Sequence, residues 1–246
     1  GLAKAKTLTG DPHHVIAVAG DGAFTGGMIY EALNNAGRSR DHLIVILNDN
    51  DMSISKSVGS FARYLAAKRS SERYNVIKEH VEKAVRKIPL VGGELRNVIS
   101  DSKAALRQML YHSNLFEDFG FDYLGPVDGH DVRMLIQVLR HAKELKKPVV
   151  VHVNTIKGKG YAYAEKNPSH YHGVGGFDPV SGQLSVPAES FSAHFGSWLT
   201  MRARRDERIC AITAAMRDGT GLEAFAEEFG PKNRFFDVAI AEEHAV

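Results

Sequence analysis

Two short runs in this sequence carry groups suited to holding a charged, oxygen-rich ligand. Gly20-Asp21-Gly22 is followed, after 25 intervening residues, by Asn48-Asp49-Asn50. Asp21 offers a carboxylate and Asn50 an amide oxygen, both hard donors of the kind Mg²⁺ accepts. Mg²⁺ keeps near-octahedral geometry and takes few protein ligands, leaving phosphate oxygens to complete its shell. Gly20 and Gly22 let the backbone come close to a phosphate, and the N-terminus of a following helix adds the positive end of a dipole. Alone, each run is an ordinary turn at the end of a strand. Their spacing is what makes the pair informative. His13-His14 and the other histidines show no metal-ligand spacing, so a zinc site is not expected.

The elements that must position these groups can be read from hydrophobic periodicity. Val15 to Ala19 is a short apolar run bounded by turn residues and reads as a buried strand. Met28 to Ala36 places Met28, Ala32 and Leu33 at helical spacing, with Gly37 as the expected C-cap. Leu43 to Leu47 is a second buried strand. Strand, crossover helix and strand make a βαβ unit, which calls for parallel strands and brings Asp21 and Asn50 to neighbouring carboxyl ends, where open α/β sheets bind ligands.

Residues from about 56 to 115 differ in character, being charged, mostly helical and interrupted by Pro89 and Gly92-Gly93. The α/β pattern resumes with Tyr123-Leu124-Gly125, a helix from about Val132 to Leu145 and a strand from Pro148 to Val153. From Lys157 to about Pro187 the chain is rich in Gly, Pro, His and Tyr without a clear period, and reads as an active-site loop followed by a linker. A third segment follows: helix from Phe191 to Arg204, strand from Arg208 to Thr213, helix from Leu222 to Phe229 and strand from Phe235 to Ala239. Composition is that of a globular protein, with 246 residues, 43% hydrophobic and 24% charged. The net charge of +2 is too small to argue for a nucleic-acid or membrane-surface partner, and neither is expected. No apolar run approaches the ~20 residues of a membrane span. The single cysteine, Cys210, allows no internal disulfide and fits a reducing compartment. Gly1 to Lys6 reads as the middle of a helix and Ala239 to Val246 as a bare apolar end, so a fragment of a longer protein is expected.

Five stretches, in order and spacing, resemble the deoxyxylulose-phosphate synthase family of transketolase-like thiamine-diphosphate enzymes. They are Gly20-Asp21-Gly22-Ala23-Phe24-Thr25-Gly26-Gly27-Met28, Val45 to Ser55, Gly125-Pro126-Val127-Asp128-Gly129-His130-Asp131, Lys157-Gly158-Lys159-Gly160-Tyr161 and Phe236 to Glu242. The resemblance covers essentially the whole chain. It implies an α/β, parallel-sheet thiamine-diphosphate-binding fold. Residues 1–167 would be an N-terminally truncated diphosphate-binding domain with the helical excursion at about 56–115. Residues 168–190 would be a linker, and 191–246 the start of a truncated pyrimidine-binding domain.

The resemblance also implies roles. Asp21 and Asn50 would bind Mg²⁺, with the backbone carbonyl of Met52 as a third ligand. Gly22 and Ala23 would contact the diphosphate, Tyr161 would lie at the cofactor, and Lys157 or Lys159 would neutralise diphosphate charge. Catalytic roles would fall to His172, near the substrate (His170 being the competing candidate), and to Glu242, bonded to the aminopyrimidine ring. The thiazolium carbon must lose a proton to the cofactor's own amino group, and a carboxylate on the far ring nitrogen favours the tautomer that accepts it. The implied reaction is condensation of pyruvate with D-glyceraldehyde 3-phosphate, with loss of CO₂, to 1-deoxy-D-xylulose 5-phosphate, a precursor of isoprenoids, thiamine and pyridoxal. A homodimer is implied, in the cytoplasm of a bacterium or the plastid of a plant.

The sequence departs from the family at Glu243, where Gln is usual, and at Ala214, where Pro is common. Family histidines that would precede Gly1, and the basic residues for the substrate phosphate, are absent, so the chain alone is expected to be weakly active or inactive. Two other readings compete: transketolase or another thiamine-diphosphate enzyme, and a non-catalytic phosphate-binding module. Against the second, no phosphate-loop lysine motif and no dinucleotide glycine fingerprint follows its strands.

Overall fold

The computed structural model describes residues 1–39, 41–50, 60–61, 63–65, 115–184 and 190–246. Most of the 56–115 excursion therefore lies outside the described residues. Helix α1 spans Leu2–Thr9, strand β1 Val15–Gly20, helix α2 Gly27–Ser39 and strand β2 Leu43–Asp49. Then come helix α3 at Leu115–Asp118, strand β3 at Asp122–Asp128, helix α4 at Val132–Glu144 and strand β4 at Val149–Asn154. Helices α5 (Ala162–Lys166) and α6 (Phe191–Ala203) precede strand β5 (Ala211–Thr213), helix α7 (Glu223–Phe229), strand β6 (Phe235–Asp237) and helix α8 (Glu242–Ala245). Strands β1 to β4 form one sheet in the order β1-β2-β4-β3, and β5 pairs in parallel with β6 with Ala211 opposite Phe235. This is the α/β architecture expected.

The chain divides into two compact units that interleave along the sequence. The first comprises Gly1–Val18, Leu33–Ile46 and Ala66–Val153, and the second Ala19–Ala32, Leu47–Leu65 and Asn154–Val246. The carboxyl ends of β1, β2 and β4 all belong to the second unit, the unit that also holds every candidate site residue within the described part.

The first unit is built on β4, whose Val149, Val150 and Val151 are wholly buried. A run of β-branched residues buried on both faces is what an interior strand requires. Helix α4 lays Leu135, Val138, Leu139 and Ala142 against Ile44, Val149, Val151 and Val153, the i, i+3, i+4, i+7 spacing of one helical face. Its N-terminus is capped by the Asp131 carboxylate, which accepts from the Met134 backbone N–H at 3.0 Å. Just before it, the His130 N–H donates to the Asp128 carboxylate at 2.9 Å.

Two expectations are corrected. Gly37 does not end α2 but lies within it, because a Cβ there would run into the Phe119 carbonyl. The helix and the turn after α3 approach too closely for any side chain. Strand β1, expected to be buried, is the edge of its sheet, and Val18 is 70% exposed. An apolar run states what a strand is suited to pack against, not whether a covering layer is there.

In the second unit, α6 and α7 flank the β5–β6 pair over a core of Ala203, Ala211, Leu222, Phe225 and Phe229. Arg234 stacks on the Phe229 ring at 4.4 Å and donates to the carbonyls of Ala203, Asp206 and Ile209. Both strands are shorter than expected, for local reasons. The Asp206 carboxylate accepts the Arg208 N–H and pairs with its guanidinium, holding residues 206–208 in a turn. Strand β6 stops at Asp237, whose side chain accepts the Ala239 N–H as the backbone there turns left-handed.

Candidate functional site

Strand β1 delivers Asp21 to the start of a 3₁₀ turn, Asp21–Thr25, rather than to a simple reverse turn. Asp21 is only 3% exposed, and Gly22 and Phe24 are buried with it. The turn is anchored from beneath: the Phe24 ring stacks on Phe61 at 5.1 Å, and the Tyr30 hydroxyl donates to the Phe24 carbonyl at 2.7 Å. Burial pushes the Tyr30 phenol up, so it remains a donor. The Thr25 hydroxyl lies 2.7 Å from the Gly22 carbonyl and 2.9 Å from that of Ile240.

The neighbouring strand, β2, ends in Asn48-Asp49-Asn50, with Asp49 buried and Asn50 half-buried. The end of β4 holds this run in place. The Thr155 hydroxyl donates to Asn48 Oδ1 at 2.8 Å, and the Thr155 N–H donates to the Asp49 carbonyl at 2.9 Å. Beside it, Asn154 Oδ1 is buried with no hydrogen-bond partner among the described residues. A buried amide oxygen left unpaired is costly, and such atoms call for an explanation in a native protein.

Lys157, half-buried, follows. Burial pushes its ammonium pKa down, and the nearby Asp21 carboxylate pulls it back up. His172 is exposed on the following loop, yet desolvation and the Lys157 charge both hold its imidazole below the ordinary histidine range. Asp21, Lys157 and His172 thus belong to one electrostatic cluster, assembled from positions 151 residues apart in the chain.

Tyr161 lies in an aromatic group with Tyr163, Tyr171 and Phe177. Its hydroxyl donates to the Pro179 carbonyl, while Tyr163 and Tyr171 bond the carbonyls of Val180 and Gly182. The 157–187 stretch, expected as irregular loop, therefore contains α5 and a segment tied down by three tyrosine hydroxyls, with Phe177 bridging Leu184. Lys159 is exposed, as is Glu242, the first residue of α8 and two residues past the carbonyl held by Thr25. Met52 lies outside the described residues.

Thr25, Thr155, Asn154 and Asp237 were not singled out from sequence. Thr25 and Ile240 stand 215 residues apart, and no local periodicity links such positions.

The donor chemistry fits a magnesium diphosphate. A buried carboxylate and an amide oxygen supply hard ligands at adjoining strand ends, an ammonium offsets phosphate charge, and an unpaired buried amide oxygen stands at the third strand end. Among the described residues no group of three or more His, Cys, Asp or Glu side chains could hold a metal by itself.

Comparison with known proteins agrees in kind. A family model described as 1-deoxy-D-xylulose-5-phosphate synthase matches residues 1–155. The chain is similar to proteins of that name from Clostridium kluyveri, 48% identical over 247 residues, and Symbiobacterium thermophilum, 49% identical over 246. A third, from Desulforudis audaxviator, is 49% identical over 247. Each alignment takes in all of this chain, which spans 39%, 38% and 39% of those relatives. A solved transketolase from Campylobacter jejuni aligns with 68% of this chain and 20% of its own at 21% identity and a TM-score of 0.41, too loose a likeness to decide anything here.

Proposed function

Because this chain belongs to the 1-deoxy-D-xylulose-5-phosphate synthase family, we propose that it supplies the diphosphate and magnesium site of a thiamine-diphosphate-dependent transferase. That enzyme condenses pyruvate with D-glyceraldehyde 3-phosphate, with loss of CO₂, to 1-deoxy-D-xylulose 5-phosphate. The observation that carries this reading is the buried Asp21 carboxylate with Lys157 close enough to feel its charge, just past the carboxyl ends of β1 and β4, the strands on either side of β2.

Asp21 and Asn50 hold Mg²⁺ through oxygen, with the Met52 carbonyl completing the protein's share. The backbone of Gly22 and Ala23 meets the diphosphate, the absence of a side chain at Gly22 allowing a close approach. Lys157 offsets the negative charge that one Mg²⁺ leaves on a diphosphate, and its burial strengthens that attraction. Tyr161 and its aromatic neighbours wall the cofactor side of the site. His172, kept neutral by its surroundings, can accept a proton from a bound substrate, as a base must. Glu242 holds the far nitrogen of the aminopyrimidine ring. When bound, thiamine diphosphate supplies an electron sink for the carbon that loses CO₂.

In this reading residues 1–167 form the diphosphate-binding domain, 168–190 a linker, and 191–246 the start of the pyrimidine-binding domain. The enzyme is a cytoplasmic homodimer of bacterial type.

Calorimetric titration of thiamine diphosphate, with and without Mg²⁺, tests the site in the enzyme at the full length of its relatives. Binding that requires Mg²⁺ and disappears in Asp21→Ala is the expected result. Mg²⁺-independent binding, or equal binding by Asp21→Ala, would refute the assignment.

A further inference from the structure

Asp237 closes β6 and does more than end a strand. Its Oδ1 accepts two backbone N–H groups, those of Ala215 and Ala239, each at 2.9 Å. Both alanines have positive φ, 59° and 58°. A residue with a Cβ adopts that conformation only where its surroundings over-determine it, and such positions gather at functional sites. Here one carboxylate oxygen holds both.

The left-handed turn at Ala239 redirects the chain. Val238 still donates to the Thr213 carbonyl at 3.0 Å, one step past the last register pair of the sheet. Two residues later the Ile240 carbonyl reaches the Thr25 hydroxyl, which also faces the Gly22 carbonyl. The single hydroxyl proton is shared between two carbonyls, one on each segment. Gly26 leaves the seat open, since a Cβ there would stand 3.2 Å from the Ile240 oxygen. The Ala241 N–H folds back onto the Ala239 carbonyl at 2.9 Å, and α8 begins at Glu242. A four-residue helix cannot fix its own first residue. What precedes it must do so.

We infer that Asp237 and Thr25 are positioning residues for Glu242: the first sets the turn at Ala239, the second fastens Ile240 to the Gly22–Thr25 turn. Between them they fix the distance from the diphosphate-binding backbone to the ring-binding carboxylate. The inference rests on the reading of Glu242 as partner of the aminopyrimidine ring.

The test uses the full-length holoenzyme carrying Asp237→Ala, Asp237→Asn, Thr25→Val, Thr25→Ser or Glu242→Gln. Two readouts are taken: exchange of the cofactor's thiazolium proton with deuterium, followed by NMR, and thiamine diphosphate affinity by calorimetry. Glu242→Gln should slow exchange. Asp237→Ala and Thr25→Val should slow it by about 10- to 100-fold, the loss expected when a reacting group is misplaced by ~1 Å. In Asp237→Ala affinity should change far less, because the diphosphate and Mg²⁺ contacts remain; Thr25→Val also releases the Gly22 carbonyl and should weaken binding as well as exchange. Asp237→Asn keeps the accepting oxygen and Thr25→Ser keeps the hydroxyl, so both should restore exchange. Added to Glu242→Gln, Asp237→Ala should have no further effect, since the two act as one unit.

Equal slowing by Asp237→Ala in both backgrounds, or none in either, would overturn the inference while leaving the site assignment standing. Exchange unchanged in Glu242→Gln would instead bring down the reading of Glu242, and the inference with it. If Asp237→Ala does not fold, the Thr25 pair decides: loss in Val with recovery in Ser supports the inference, and any other pattern rejects it.

Discussion

At the scale of single residues, the site works by contrast in burial. Asp21 is buried and Lys157 half-buried, so their attraction acts where water screens it least. His172 answers to the same cluster. Its depressed pKa means that the folded protein binds fewer protons than the unfolded chain as pH falls from the ordinary histidine value to the folded one. Acidification through that window therefore lowers stability, and above it the residue contributes no pH dependence. In an NMR titration the His172 imidazole should protonate below an ordinary histidine. Lys157→Met should raise its midpoint partway, because desolvation, the larger cause, remains. A midpoint unmoved by Lys157→Met would mean that the two side chains do not interact.

At the scale of elements, caps and close approaches decide which helices hold. Removing the Asp131 cap of α4 with Asp131→Ala should cost about 1 kcal/mol in a urea melt of the chain. Gly37→Ala should cost more, about 1–3 kcal/mol, because the added methyl meets the Phe119 carbonyl and backbone yields poorly. A Gly37→Ala protein as stable as the parent would show that α2 and the turn after α3 do not approach as described. The positions of α2, α4, α6 and α7 were legible from periodicity, whereas α5, in a stretch expected as irregular loop, and the Asp131 cap were not. The approach of Gly37 to residue 119 was not, since it joins segments 82 residues apart.

At the scale of the molecule, the described residues leave large apolar groups uncovered. Val18 is exposed on the edge strand, and α6 presents Phe191, Phe195 and Trp198 at helical spacing, with Phe191 96% exposed. Apolar surface gathered in this way marks a face built to be covered. The chain spans 39% of its relatives' length. The 246-residue polypeptide alone should therefore bind a hydrophobic dye strongly and turn over pyruvate slowly or not at all. The enzyme at full length should bind little dye. Ordinary turnover by the 246-residue chain would show that it carries a complete catalytic apparatus.

The sequence by itself determined the α/β alternation, the pairing of Gly20-Asp21-Gly22 with Asn48-Asp49-Asn50, and the family. These are carried by short-range periodicity and by motifs whose spacing is one βαβ unit. Only the tertiary structure decided that β1 is an edge strand, that Asp21, Lys157 and His172 share one electrostatic cluster, and that Thr155 and Thr25 tie down the two motif turns. Each of these depends on contacts between residues more than a hundred positions apart, or on which layer covers a face. Local sequence encodes what a segment can do; which distant partner reaches it is settled when the whole chain packs.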